Sequence, residues 1–203
     1  MSIYCVDYGN TLCGIAVADE NLKIALPKNT VKSDSLIDFL QSLNLDEKSV
    51  LVFGLPISLS GRYSHQTYLT VEAALNIKEQ LGCQIYFVDE RLTTTSLFNE
   101  LKGDISFKKI KKTKDQNSSV LILNVFLENP HAAIELKEKP IYKVENDLLN
   151  YSNIMIFDVS ISNIINKIDV KRLSIFTQDP WIFWFYYRQG LKSTSLISDL
   201  HNQ

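Results

Sequence analysis

Short apolar runs that stop at carboxylates or glycines, then give way to helical spacing, limit this chain to few folds. Ile3-Tyr4-Cys5-Val6 is the first run and ends at Asp7-Tyr8-Gly9. Gly14-Ile15-Ala16-Val17-Ala18 and Lys23-Ile24-Ala25-Leu26 follow within hairpin distance, separated by the polar turn Asp19-Glu20-Asn21. Three such strands in a row predict an antiparallel meander. The period then changes: Leu36, Phe39, Leu40 and Leu43 fall at helical spacing, with Ser33 or Ser35 as the N-cap. Ser49 to Phe53 reads as a buried strand that stops at Gly54-Leu55-Pro56. Leu69, Ala73, Ile77 and Leu81 form the apolar row of a longer helix ending near Gly82. Ile85 to Val88 is another buried strand, stopped by Asp89-Glu90-Arg91. A helix through Leu97, Phe98 and Leu101 and a Lys-rich loop come next, and Asp115 opens a last, almost wholly apolar helix through Val120 to Leu127. The order β-β-β-α-β-α-β-α-α predicts an α/β layer: three antiparallel strands, then parallel strands joined by crossover helices that cover the sheet.

After Asn129-Pro130 the character changes, and glycine is missing until Gly190. We therefore expect one domain over 1–130 and a C-terminal extension over 131–203. Within the extension, Asn153 to Val159 and Arg172 to Phe176 read as strands and Ser193 to His201 as a short helix. Trp181 to Tyr187 is an aromatic run suited to core packing, an oligomer contact or base stacking.

With 45% hydrophobic and 22% charged residues in 203, the composition is that of a globular protein. The net charge of −2 provides no global basic field, so any nucleic-acid partner must be met by a local patch. No apolar run approaches the ~18 residues of a membrane span, and Asp7 arrives without a basic leader. The expectation is a cytoplasmic chain with no membrane partner. Cys5, Cys13 and Cys83 lack metal-ligand spacing and read as buried, reduced thiols.

Three acidic residues stand where elements meet loops: Asp7, Glu90 and Asp115. If the first and last long strands lie close in one sheet, Asp7 and Glu90 approach each other, and a helix across the sheet can deliver Asp115. Clustered carboxylates repel unless a cation lies between them. Hard oxygen ligands of this kind suit Mg²⁺ or Mn²⁺. The plainer alternative is three unrelated solvated carboxylates.

The residues Val6-Asp7-Tyr8-Gly9 with Gly14-Ile15-Ala16-Val17, Gly54-Leu55-Pro56 with Gly61, Val88-Asp89-Glu90-Arg91-Leu92-Thr93-Thr94, and Lys114-Asp115-Gln116 occur in series. Together they resemble the YqgF/RuvX family, described as Holliday-junction-resolvase-like and as pre-16S rRNA nucleases. The resemblance covers residues 1 to about 130. It implies an RNase H-like fold and metal-dependent phosphodiester hydrolysis, with Asp7, Glu90 and Asp115 as catalytic, metal-binding carboxylates and Mg²⁺ or Mn²⁺ as cofactor. Members of the family typically carry Lys-Arg where this chain has Thr11-Leu12, Asn and Asp where it has Ser58 and Ser60, and an Ala pair where it has Ser118-Ser119.

Lys108, Lys109, Lys111, Lys112 and Lys114 precede Asp115 and are candidate phosphate contacts, against the alternative of a solvated loop. Arg91 can contact phosphate or tie down a carboxylate, and Thr93 and Thr94 can cap a helix. Arg62 and His65 are weaker candidates for the cleft; His131 and His201 have no evident role. No Ser/His/Asp or Cys/His nucleophile arrangement is discernible. The expected function is endonucleolytic cleavage of structured nucleic acid. Precursor 16S rRNA is the first substrate, and branched DNA, which would favour a homodimer, is the second. A non-catalytic nucleic-acid-binding or transcription-associated protein on the same fold is the alternative class. An actin-like ATPase is disfavoured because the seven glycines are scattered and form no phosphate loop.

Overall fold

The computed structural model describes residues 2–19, 23–93, 107–146 and 148–202, with 107–117 and 201–202 described by backbone alone. The chain divides into two compact units: Met1–Pro56 with Glu72–Leu136, and Ile57–Val71 with Lys137–Gln203.

The first unit is built on a six-stranded sheet. β1 (Ile3–Tyr8), β2 (Leu12–Asp19) and β3 (Ile24–Lys32) form the meander. β4 (Val50–Leu55) and β5 (Gln84–Asp89) follow α1 (Leu36–Ser42) and α2 (His65–Leu81). α3 (Phe107–Glu128) and the short β6 (Ile134–Glu135) complete the unit. The strand order is β3-β2-β1-β4-β5-β6. β2 runs antiparallel to both β1 and β3, β4 lies parallel to β1, and β5 lies parallel to β4. This is the RNase H-like mixed sheet the sequence predicts. Every residue of β4 is buried, which is why a central strand reads as an unbroken apolar run. α3 packs its apolar half onto the sheet, joining Ile122, Leu123 and Phe126 to Cys5, Ala16, Val52 and Val88 in one core. Asn124, the one polar residue in that apolar stretch, accepts a hydrogen bond from the Ala25 backbone N–H at 3.0 Å. It thereby satisfies a donor on β3, the edge strand.

Some expectations for this unit change. The Lys-rich segment 107–114 is helical, because α3 begins at Phe107 and no Gly or Pro interrupts the chain to Glu128. Lysine is a good helix former, so its charge does not make the segment a loop. Asp115 consequently lies in the third turn of α3 and does not open it. Of the two N-cap candidates, Ser35 takes the N-cap position of α1 without a side-chain cap bond, and the Ser33 hydroxyl donates to the Gly9 carbonyl at 2.6 Å. The buried stripe of α2 runs through Thr67, Thr70, Val71, Ala74 and Ile77, rotated from the expected row, because strict i, i+4 spacing drifts around a 3.6-residue helix. Gly82 closes α2 at φ +68, its N–H bonded to the Lys78 carbonyl at 2.9 Å. The helix expected through Leu97, Phe98 and Leu101 lies outside the described residues, as does Thr94.

The second unit contains two parallel strand pairs: β8 (Ile154–Phe157) with β10 (Leu173–Phe176), and β7 (Ile141–Tyr142) with β9 (Ser160–Ile161). The aromatic run forms α4 (Pro180–Tyr187), capped by Asp179, whose carboxylate accepts from the N–H groups of Trp181 and Ile182. Pro180 at the first helical position fits such a start. Trp181, Ile182, Phe183, Phe185 and Tyr186 are buried. The Tyr186 hydroxyl donates to Val159 O at 2.7 Å and accepts from Ile161 N–H at 3.0 Å, so a buried phenol is satisfied. Of the short helix expected at 193–201, Ile197–Asn202 forms a 3₁₀ helix, while Thr194 instead bridges to Phe176. Among the described residues, no helix is long and apolar enough to cross a membrane.

Candidate active site

The register places the acidic residues. Val6 of β1 pairs with Phe53 of β4, and Gly54 and Leu55 of β4 pair with Val88 and Asp89 of β5. One step further along β1, Asp7 comes level with Gly54, while Glu90 directly follows β5. Three parallel strands therefore end along one edge, with a carboxylate on each outer strand and a glycine between them.

Gly54 leaves the room that the Glu90 side chain takes. A Cβ at that position would lie 2.8 Å from Glu90 Oε1 and 3.2 Å from its Cγ. The Glu90 side chain thus occupies the space above β4 that any larger residue would fill. Asp7 pairs with Gly14 of β2, and a Cβ on Gly14 would meet Asp7 Cβ at 3.7 Å and Ser119 Oγ at 3.3 Å. Ile122 Cδ1 would lie 2.6 Å from a Cβ on Gly54. Ser119 and Ile122 of α3 therefore rest over the same patch of sheet. Asp115 is one turn before Ser119, so 115, 119 and 122 form one stripe at i, i+4, i+7. The side chain of Asp115 is outside the described ones. Among the side chains that are described, no group of three His, Cys, Asp or Glu residues is placed to hold a metal ion.

Cys5 records the electrostatics of this patch. It is fully buried two residues before Asp7, on the same face of β1. Burial pushes its thiol well above the ordinary range, and the negative charges of Asp7 and Glu90 push it the same way. Both carboxylates thus act on one buried point. Asp7 and Glu90 offer hard carboxylate oxygens as donors at this edge. Such a set fits Mg²⁺ or Mn²⁺ and does not favour a soft-ligand metal.

The residues after β5 hold Glu90 from both sides. Arg91 clasps Asp89, with Nε 2.9 Å and Nη2 2.6 Å from Asp89 Oδ2, while Arg91 N–H donates to Asp89 Oδ1 at 2.9 Å. Thr93 is buried, and its hydroxyl donates to the Glu90 carbonyl at 2.6 Å. Of the two roles open to Arg91, tying down a carboxylate is therefore the one the geometry displays. Lys108, Lys109, Lys111, Lys112 and Lys114 lie on the turns of α3 that lead to Asp115. Arg62 and His65 belong to the second unit, where Arg62 pairs with Asp199 at 2.6 Å and His65 Nδ1 lies 3.1 Å from the Tyr187 hydroxyl. Ser58 and Ser60 share a hydrogen bond of 2.9 Å, and Ser58 Oγ accepts from Arg62 N–H.

Sequence reasoning did not identify Cys5, Gly54, Ser119 or the Asp89 anchor as parts of the site. The signal for Gly54 was present, since a glycine inside a fully buried strand invites the question of what approaches it.

The sheet order, with an acidic residue inside the first strand and another just after the fifth, defines an RNase H-like domain. Residues 1–129 match the model of the RuvX family, described as Holliday junction resolvase, and the chain belongs to this family of nucleases. A Rickettsia typhi protein named "Putative pre-16S rRNA nuclease" is 35% identical over 130 residues, covering 62% of this chain and 81% of the relative. A Thermotoga maritima protein of the same name is 29% identical over 199 residues, covering 93% of this chain and 77% of that one. Among solved structures, a Holliday-junction complex of T. thermophilus RuvC matches at 12% identity with a TM-score of 0.42, covering 67% of this chain and 99% of that chain.

Proposed function

We propose that the chain is a divalent-metal-dependent endonuclease that hydrolyses phosphodiester bonds in structured RNA, with the 5′ end of precursor 16S rRNA as its substrate. The observation that carries this reading is the Glu90 side chain lying over the bare backbone of Gly54, the residue level with Asp7 in the sheet register, on the patch covered by Ser119 and Ile122 of the α3 stripe that includes position 115. Asp7, Glu90 and Asp115 would hold Mg²⁺ or Mn²⁺. When bound, such ions activate water and stabilise the leaving oxygen in phosphodiester hydrolysis.

The chain's own residues supply placement. β1 and β5 fix two carboxylates on rigid strand ends, and the Asp89–Arg91 clasp and the Thr93 hydroxyl hold the backbone around Glu90. The lysines of α3 draw the phosphate backbone toward that edge through sequence-independent attraction. The names of the Rickettsia typhi and Thermotoga maritima relatives favour precursor rRNA. The family description favours a four-way DNA junction as the second reading.

The test is paired cleavage of a 16S precursor RNA and a synthetic four-way junction, in Mg²⁺ and in Mn²⁺, by the intact chain and by Asp7→Asn. Metal-dependent cutting of the RNA alone, abolished by the substitution, is the expected result. Cutting of the junction alone would move the assignment to the resolvase. If neither is cut while both proteins bind equally, the nuclease reading is wrong and the chain is a binding protein.

A further inference from the structure

The aromatic helix of the second unit does not bury all of itself. Trp184 and Tyr187 are only half-buried, and Arg188, one residue past the end of α4, is exposed. Positions 184, 187 and 188 are spaced i, i+3, i+4 and share one face. The Arg188 guanidinium lies 4.6 Å from the centroid of the Trp184 ring. The Tyr187 ring stacks on Tyr68 with centroids 4.7 Å apart and planes 26° apart. The exposed imidazole of His65 lies against both, at 6.0 Å from Tyr68 and 5.9 Å from Tyr187. All five residues belong to the second unit.

The chemistry of this face differs from that of the buried side of α4. It combines part-exposed aromatic rings with a cation, an exposed imidazole and two phenol hydroxyls. Among the described residues Arg188 makes no ion pair, whereas Arg62 of the same unit is committed to Asp199 in a two-toothed bridge. An apolar peptide would want aliphatic pockets and would leave that guanidinium unanswered. An unpaired nucleotide answers both features: the base stacks on a ring, and the phosphate meets the arginine.

We propose that Trp184, Tyr187 and Arg188, with His65 and Tyr68, form a stacking platform for unpaired nucleotides. The proposal rests on the reading that the chain acts on nucleic acid. It assigns single-strand recognition to the second unit, separate from the carboxylates. Stacking tolerates every base, so the platform selects unpaired over paired segments without selecting sequence.

The experiment titrates the full chain, without divalent metal, against a short fluorescein-labelled oligoadenylate and a blunt RNA duplex while recording tryptophan emission. The expected result is tighter binding of the single strand with quenching of tryptophan emission. Arg188→Ala and Tyr187→Leu should each weaken single-strand binding about fivefold or more, the low end of what stacking one base contributes. Duplex binding should be unchanged. Arg188→Ala alters an exposed side chain, so the test survives if Tyr187→Leu fails to fold. Undiminished single-strand binding by Arg188→Ala with equal affinity for the duplex overturns the platform, and cleavage by the intact chain would then leave the nuclease reading standing. An intact chain that neither binds nor cuts any nucleic acid overturns both.

Discussion

A methyl group added at Gly54 would meet Ile122 Cδ1 at 2.6 Å and Glu90 Oε1 at 2.8 Å. Both atoms are the far ends of flexible side chains, so the sheet absorbs the methyl by moving them and not by breaking. What moves on one side is apolar packing, and what moves on the other is a proposed metal ligand. Gly54→Ala is therefore expected to fold, losing about 1–3 kcal/mol to overpacking, while cleavage falls by a larger factor than stability explains. Adding Ile122→Val removes a methyl from the crowded side and should recover part of the melting temperature without recovering cleavage. Melting curves and single-turnover cleavage of both variants decide the matter. If cleavage returns together with stability, the glycine protects packing alone and the placement of Glu90 does not depend on it.

α3 shows what the sequence reveals about an element and what it conceals. Strands β4 and β5 were legible because a strand covered on both faces is an uninterrupted apolar run, β4 being followed by Pro56 and β5 closing on Asp89. The apolar half of α3 was legible for a similar reason. Its basic half was not, since five lysines in seven residues resemble a solvated loop although nothing between Phe107 and Glu128 breaks a helix. The same ambiguity affects α4, where seven successive aromatic and aliphatic residues show no period and only the Asp179-Pro180 start marks a helix. That Ile57–Val71 groups with the tail had no local signal, because it depends on partners more than a hundred positions away. Extending α3 back to Phe107 has a consequence for the lysines. On a helix, Lys108, Lys111 and Lys112 precede Asp115 by seven, four and three residues and share its face, while Lys109 and Lys114 fall to the flanks. Charge reversal at 108, 111 and 112 is expected to lower cleavage and flatten its dependence on salt more than reversal at 109 and 114. Initial rates over a range of potassium chloride concentrations measure this, and equal losses from the two sets would show that the lysines act only as diffuse charge.

At the scale of the whole molecule, the second unit is assembled from pieces far apart in sequence. The Tyr63 hydroxyl donates to Gln178 O at 2.5 Å, and the Ser195 hydroxyl donates to Gly61 O at 2.6 Å. Arg62 donates from Nε and Nη2 to the two oxygens of Asp199 at 2.7 and 2.6 Å. The two hydroxyl bonds carry no titrating charge near neutrality, so the ion pair is the link that pH can address. The Arg62 hydrogen bonds, helped by one from Thr194, hold the Asp199 carboxyl below its ordinary value of 3.8, while the hydrogen bond to Asp199 holds Arg62 above its ordinary range. A carboxyl lowered by folding contributes stability that is fully present above the unfolded value and disappears as pH falls through the folded one. The arginine remains charged across this window, so the carboxyl alone sets the response. Melting temperatures of the intact chain and of Asp199→Asn should therefore differ by a constant amount from neutral pH down to the ordinary carboxylate range. The difference should close in acid below about 3.8. Because the pair is exposed to solvent, the neutral-pH gap should be small and should shrink further in high salt. A gap that survives at acid pH would show that Asp199 acts through the hydrogen bond from Thr194 and the local turn, with the charge on Arg62 contributing nothing to closure of the unit.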